Sequence, residues 1–275
     1  MDFTIIIPVF NAGPKINLTI DSLLAQTALA AGTARLNCLV VDGGSTDDTV
    51  ARVRAYDNPA LSVISEPDEG MYDALAKGLA RATGDVTGYM PAGETYDPHA
   101  FAVVTEVLTR YPQIQWLTGQ EVVRNADRQI VGCRVPHPFH QRFFDCGMYG
   151  TLLTVLQQES TLWRTDFNRH LDLDRLRTCR LAGDYFLWRS LAQHHPLYVI
   201  DTHIGSFTVE PDQLSQQIPG AYRKELRTLR RRPFTWERIL VLAYRSYVKC
   251  ARVRKTARRM ICYSFAHNEW RLTRL

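Results

Sequence analysis

The chain has 275 residues, 45% of them hydrophobic, and a net charge of +5 at neutral pH. That is enough apolar material for one large core with an appendage. No window approaches the roughly 18 apolar residues of a membrane span, and no basic region with a long apolar run precedes the first strand pattern, so neither a spanning helix nor a secretory leader is expected. The six cysteines form no CxxC pair and have no metal-ligand spacing, and Cys38, inside an apolar run, reads as a reduced core residue. Charge is unevenly spread. From Ala221 to Leu275 there are sixteen Lys and Arg against three Glu, about +13, which leaves about −8 for the first 220 residues.

Phe3 to Phe10 is a β-branched run leaving a sheet into Asn11-Ala12-Gly13. Ile16 to Gln26 has an amphipathic helical pattern. Leu36 to Val41 is a second strand, and it delivers Asp42-Gly43-Gly44-Ser45-Thr46-Asp47, where two glycines let backbone approach a ligand and a short polar side chain caps a helix beginning near Asp48. Leu61 to Ile64 is a third strand. The acidic loop Ser65 to Gly70 then opens a helix over Met71 to Ala82, followed by a buried strand over Val86 to Met90 that breaks at Pro91-Ala92-Gly93. Glu94 follows at that strand's C-terminal end, the edge where open α/β sheets bind ligands, and the layout suits an anionic ligand bridged by a metal on Glu94. Alternating strands and helices predict a parallel doubly wound α/β sheet.

Further on, a helix is expected over Pro98 to Arg110, a strand over Ile114 to Gly119, and a hairpin-like excursion over Gln120 to Val135. The irregular stretch His137 to Gly150 suits a loop over a site. A strand is expected over Gln158 to Arg164, a helix starting near Asp184, and late strands over Leu197 to Ile200 and Ile204 to Val209. Trp163 and Trp188 read as core, and His137, His140, His194, His195 and His203 lack clean ligand spacing.

Taken in order, the segments TIIIPVFNAG, VVDGGSTDDT, SEPDEGMYDALAKG, ATGDVTGYMPAGE, WLTG, QESTLWR, AGDYFLW and GSF resemble a family 2 glycosyltransferase of the GT-A fold. The resemblance covers Phe3 to Ser215 and points to the branch that builds bacterial exopolysaccharide or lipopolysaccharide side chains. It implies a Rossmann-like domain over residues 1–219, with a nucleotide-sugar half over 1–95 and an acceptor half over 96–219. A basic helical region over 220–275 would follow. It also implies that Pro8, Phe10 and Asn11 contact the nucleotide. Asp42, with Gly43 beside it, would accept hydrogen bonds from the base or ribose, and Asp68, Tyr72, Asp73 and Lys77 would belong to the same donor site. Glu94 falls where the family holds a divalent cation, Mn2+ or Mg2+, against the diphosphate of a UDP- or GDP-sugar. Asp184 matches the base that deprotonates the acceptor hydroxyl, with inversion at the anomeric carbon.

The chain departs from the pattern at Pro91-Ala92-Gly93-Glu94, where the motif ends in Asp, at Ala76, where Asn is usual, and at Phe207-Thr208-Val209-Glu210, where a His is frequent. Glu210 then stands as a substitute oxygen ligand. These departures leave open a degenerate, non-catalytic member that binds nucleotide-sugar as an assembly partner. A nucleotidyltransferase would want a basic Gly-rich phosphate loop, which FNAGPK does not supply. In the tail, apolar residues recur between Lys and Arg from Phe234 to Phe265. That suits a helix on an anionic membrane, with a helix packed on the domain as the alternative and no nucleic-acid module in evidence. The expectation is a cytoplasmic protein, peripheral on the inner membrane, meeting a glycan or lipid-linked glycan acceptor.

Overall fold

A computed structural model describes residues 1–209, 220–248 and 259–273. β1 (Asp2–Val9) and β2 (Arg35–Asp42) pair in parallel along their whole length, Asp2 opposite Arg35 and Val9 opposite Asp42. Between them lie α1 (Lys15–Leu24) and α2 (Thr27–Ala30). α3 (Thr49–Arg54), β3 (Leu61–Ser65), α4 (Met71–Leu79) and β4 (Val86–Tyr89) complete a parallel unit. β1 is apolar on both faces because both are covered. Phe3, Ile5 and Ile7 pack with α1, and Ile6 packs with α4. The α4 contact is close, since a methyl group at Gly78 would lie 2.5 Å from Ile6 Cγ2.

The second half continues with β5 (Thr95–Tyr96), α5 (Ala100–Arg110), β6 (Trp116–Thr118), β7 (Glu121–Arg124), β8 (Ile130–Arg134) and α6 (Gln141–Asp145). β9 (Thr161–Arg164), α7 (Leu173–Arg177), α8 (Gly183–His194), β10 (Tyr198–Ile200) and β11 (Gly205–Thr208) follow. The last described elements are α9 (Ala221–Leu229), α10 (Thr235–Val248), β12 (Met260–Ser264) and β13 (Glu269–Leu272). The main sheet runs β13-β12-β10-β6-β9-β4-β1-β2-β3, and β9 lies antiparallel to both β4 and β6. A smaller sheet, β5-β11-β7-β8, contains the expected hairpin.

Two expectations change. Gln158 to Ser160 is a tight 3-10 turn, and the strand begins only at Thr161. The tail is helical over α9 and α10, but from Met260 it forms a β-hairpin that adds to the main sheet through β10. Met260 and Ile261 are buried there, and Asn268 takes the left-handed turn conformation (φ 54) that Asn tolerates well. Leu226, Leu229 and Val241 belong to the same core cluster as Trp116, Trp163 and Trp188. Described residues after 220 thus contribute to the core and to the main sheet. Among the described residues, no helix is long and apolar enough to cross a membrane.

Candidate active site

The loops leaving β1, β2 and β3 lock together at the carboxyl edge of the sheet. Asn11, in a left-handed conformation (φ 48), donates its backbone N–H to the Ser45 hydroxyl at 2.8 Å and accepts the Thr46 N–H on its side chain at 2.9 Å. Asp42 is fully buried. Its carboxylate accepts the N–H groups of Gly44 (3.2 Å) and Ser45 (3.1 Å), the Ser45 hydroxyl, and the Ser65 hydroxyl at 2.7 Å. Three of these donors meet Oδ2, and the Ser45 hydroxyl and N–H meet Oδ1. Asp42 thus shapes the turn. Gly43 leaves room for Asp68, because a methyl group there would lie 2.5 Å from Asp68 Oδ2 and displace its carboxylate. Burial raises the Asp68 carboxyl above the usual range, against the pull of the Gly70 N–H and Lys77. Pro8 is buried at the end of β1, and Phe10 stands in solvent beside this cluster.

Three residues expected to touch the donor have other partners. Tyr72 is buried, donates its hydroxyl to the Leu181 carbonyl at 3.2 Å, and packs so closely on Gly183 that a methyl there would lie 2.5 Å from its ring. It couples α4 to the start of α8. Lys77 donates to the Pro67 carbonyl (3.0 Å) and pairs with Glu66 (3.1 Å) and Asp73 (3.5 Å), bracing the acidic loop. Asp73 is nearly buried and also meets Arg177 at 3.5 Å. Arg180 meets Glu69 at 3.4 Å in the same seam. The N-termini of α4 and α8 are in this way held side by side, which brings the acidic loop next to Asp184.

Asp184 lies in the first turn of α8. Its Oδ1 accepts the Tyr185 N–H at 2.6 Å and its Oδ2 accepts the Tyr222 hydroxyl at 3.2 Å. It opens onto a small cavity with Phe144, Tyr149, Leu156, Trp188 and Tyr222. Burial among these groups pushes its carboxyl up to about 7, against the two hydrogen bonds and with Glu225 adding to the rise. Glu225 fixes the approach to α8, accepting the N–H groups of Arg180, Leu181 and Ala182 at 2.7, 2.6 and 2.9 Å. Tyr222 and Glu225 both come from α9, and neither was singled out in the sequence. Nothing local marks them, since they act across about forty residues. A second group that sequence reasoning missed is Glu159. It is fully buried, neither carboxyl oxygen has a hydrogen-bond partner among the described residues, and burial raises it to about 8, with the nearby Glu121 charge adding to the rise. A lone acid just before an apolar strand was the available signal.

Glu94 follows the left-handed Gly93 (φ 100) and is almost buried. Its Oε2 accepts the Thr208 N–H at 2.7 Å, which ties it to the end of β11. Glu210 itself lies outside the described residues. Among those residues, no group of three or more His, Cys, Asp or Glu side chains converges. A cation on Glu94 could draw further oxygens from a diphosphate and water. Hard cations such as Mg2+ are commonly held this way, with one or two carboxylates and the substrate phosphates, so the donor set fits.

A mostly parallel sheet, an acidic cradle at its carboxyl edge and a helix-borne carboxylate beside that cradle define the GT-A class of sugar transferases. Residues 4–145 match the family model described as Glycosyl transferase family 2, and the chain belongs to that family. It is 31% identical over 141 residues to an uncharacterized glycosyltransferase of Mycobacterium tuberculosis, covering 50% of this chain and 51% of that one. It is 26% identical over 180 residues to a PGL/p-HBAD biosynthesis glycosyltransferase of Mycobacterium bovis, covering 60% of this chain and 68% of that one. The chain thus spans about half the length of the first of these curated relatives. Among solved structures, it resembles S. aureus TarS in complex with UDP-GlcNAc, with a TM-score of 0.59, 15% identity and coverage of 83% of this chain and 65% of that one. It also resembles the mannosyltransferase PcManGT of Pyrobaculum calidifontis in complex with GDP-Man and Mn2+, with a TM-score of 0.60, 17% identity and coverage of 90% and 70%.

Proposed function

We propose that this protein transfers a sugar from a nucleoside-diphosphate donor to a hydroxyl of a glycan or lipid-linked glycan, inverting the anomeric centre in a single displacement. The observation that carries this reading is Asp184, a carboxylate whose burial raises it to about 7 beside the acidic donor loop. A base poised near the working pH combines a useful ionised fraction with a real appetite for the hydroxyl proton. The Tyr185 N–H and Tyr222 hydroxyl would hold the carboxylate while the acceptor oxygen approaches from the cavity. The Asn11–Ser45 lock and the Gly43 turn would present backbone to the nucleotide. Glu94 would hold a divalent cation, Mn2+ or Mg2+, which when bound offsets the charge of the departing diphosphate.

The test is Asp184→Asn. Transfer should fall on the order of 10² to 10⁴, the usual worth of general-base catalysis, while calorimetry shows donor binding near wild type. Turnover at the wild-type rate with intact donor affinity overturns the assignment. A product that keeps the donor's anomeric configuration by NMR excludes the single displacement.

A further inference from the structure

α10 has two apolar stripes, and the core uses only one. Val241, Tyr244 and Val248 face inward. Trp236, Leu240, Ala243 and Tyr247 recur at the same helical spacing about a quarter-turn away and stand in solvent, with Ile239 beside them. Ile239 is 65% exposed and Tyr247 64%. Contiguous exposed apolar surface of this kind marks a contact site.

Next to this stripe is an open cleft of about 590 Å³, lined by Phe139, His140, Arg142, Asp145, Arg231 and Arg259 among others. The two features share side chains. The Arg142 guanidinium lies 5.0 Å from the Trp236 ring centre, and Arg231 lies 5.3 Å from that of Phe234. Arg259 lies 5.6 Å from the Phe139 ring. Arg231 is paired with the buried Glu237 at 2.6 Å, whereas no ion pair among the described residues engages Arg142 or Arg259. Among the described residues, Asp145 is the one acid on the cleft wall.

Guanidinium groups beside an exposed aliphatic and aromatic stripe match the phosphate layer and acyl boundary of a bilayer. A nucleic acid would find phosphate partners here but no use for Ile239 and Leu240. A second copy would bring the same arginines against one another.

We propose that the exposed α10 stripe and the arginine cleft form one docking surface for a bilayer containing anionic phospholipid. Headgroup phosphates sit at Arg142 and Arg259, and Trp236, Leu240 and Tyr247 enter the interfacial layer. α6 lies between this surface and the candidate base. Arg142 and Asp145 line the cleft, while Phe144 lines the Asp184 cavity. Docking therefore places the acceptor cavity beside the membrane. The inference goes beyond the transfer reaction and stands whether or not Asp184 is its base.

The test uses the full chain, sedimented with vesicles of phosphatidylcholine alone or mixed with phosphatidylglycerol. Binding should be at least about tenfold tighter to the mixed vesicles and should weaken as salt shortens screening. Arg142→Glu with Arg259→Glu should weaken it by about tenfold or more, since each cation near such a surface contributes about fivefold. Ile239→Ser with Leu240→Ser should also weaken it, at an unchanged melting temperature, because both side chains already stand in solvent. Equal binding to the two vesicle types, wild-type affinity in both double variants, or concentration-dependent dimerisation with no vesicle binding would each overturn the proposal.

Discussion

The donor pole and the Asp184 pole are built on opposite principles. At the proposed donor pole, Asn11, Asp42, Ser45, Ser65 and Asp68 lie on three neighbouring loops or at the strand ends that lead into them, and the Asp42 carboxylate accepts several hydrogen bonds there. At the other pole, Asp184 is half-buried among aromatic groups, its carboxyl pushed up to about 7, and held by a hydroxyl from thirty-eight residues away. A hydrogen-bonded cradle is suited to holding a ligand in one pose, because its geometry is set before the ligand arrives. A desolvated carboxylate with few hydrogen bonds is suited to taking a proton, because its ionised form is costly to keep. The first costs the fold little, whereas the second must be supported by packing from elsewhere, here α9 and the core around it.

The largest effect expected from this contrast is loss of the Asp184 pole on truncation. A chain ending at Gly220 lacks Tyr222, the Glu225 carboxylate that holds three N–H groups ahead of α8, and core residues Leu226, Leu229 and Val241. It also lacks the hairpin on the β10 edge. Such a chain should show no cooperative thermal transition by circular dichroism. Cooperative melting together with retained nucleotide binding would instead make the tail an appendage.

The same contrast explains what was legible in the sequence. The elements from β1 to β4 and the loops after them follow apolar periodicity, glycine placement and local capping, which act over a few residues. Asp42, Gly43 and Asp68 could be placed at one edge from their positions after strands alone. Asp184 was legible as a residue type in a helix-start motif, but its elevated proton affinity was not, because Tyr222 and Glu225 approach it through tertiary packing. Tyr72 was legible from the resemblance as part of the acidic-loop signature, but its packing against α8 was not. The close approach of α4 to Gly183 turns it inward. The β12–β13 hairpin was hidden by the dense positive charge around it, which reads as a solvated helix until β10 supplies a strand to pair with.

A second prediction tests whether buried, unsatisfied carboxyls burden this half of the molecule. Glu159 is raised to about 8 in the fold by burial, against an ordinary value of 4.5. The folded state therefore holds a proton that the unfolded chain releases, and stability falls as pH rises from about 4.5 to about 8. The change is on the order of a few kcal/mol, since each tenfold difference in proton affinity between folded and unfolded chain is worth about 1.4 kcal/mol. Glu159→Gln carries no titrating proton and should make that slope shallower, leaving the part that Asp184 contributes below about pH 7. Urea unfolding of both proteins at pH 5 and pH 8 would measure it. A slope unchanged by the substitution assigns the pH dependence to another group.

The smallest effect, and the most diagnostic for the base, is that of Tyr222→Phe. The Tyr222 hydroxyl donates to Asp184 Oδ2 at 3.2 Å, a bond that favours the ionised carboxylate and works against the rise caused by burial. Removing the hydroxyl removes that support, so the proton affinity of Asp184 must increase. In wild type, transfer should fall about tenfold per pH unit below about 7, where the base becomes protonated. In the variant this acid limb should move to higher pH by up to about one pH unit, because one such hydrogen bond contributes roughly 1 kcal/mol. At pH 6 the variant should then run up to about tenfold slower than wild type, and on the alkaline plateau the two should converge. A residue that only packs the cavity would lower the rate equally at every pH. If the limb stays in place while the whole profile drops, Tyr222 positions the acceptor and not the base.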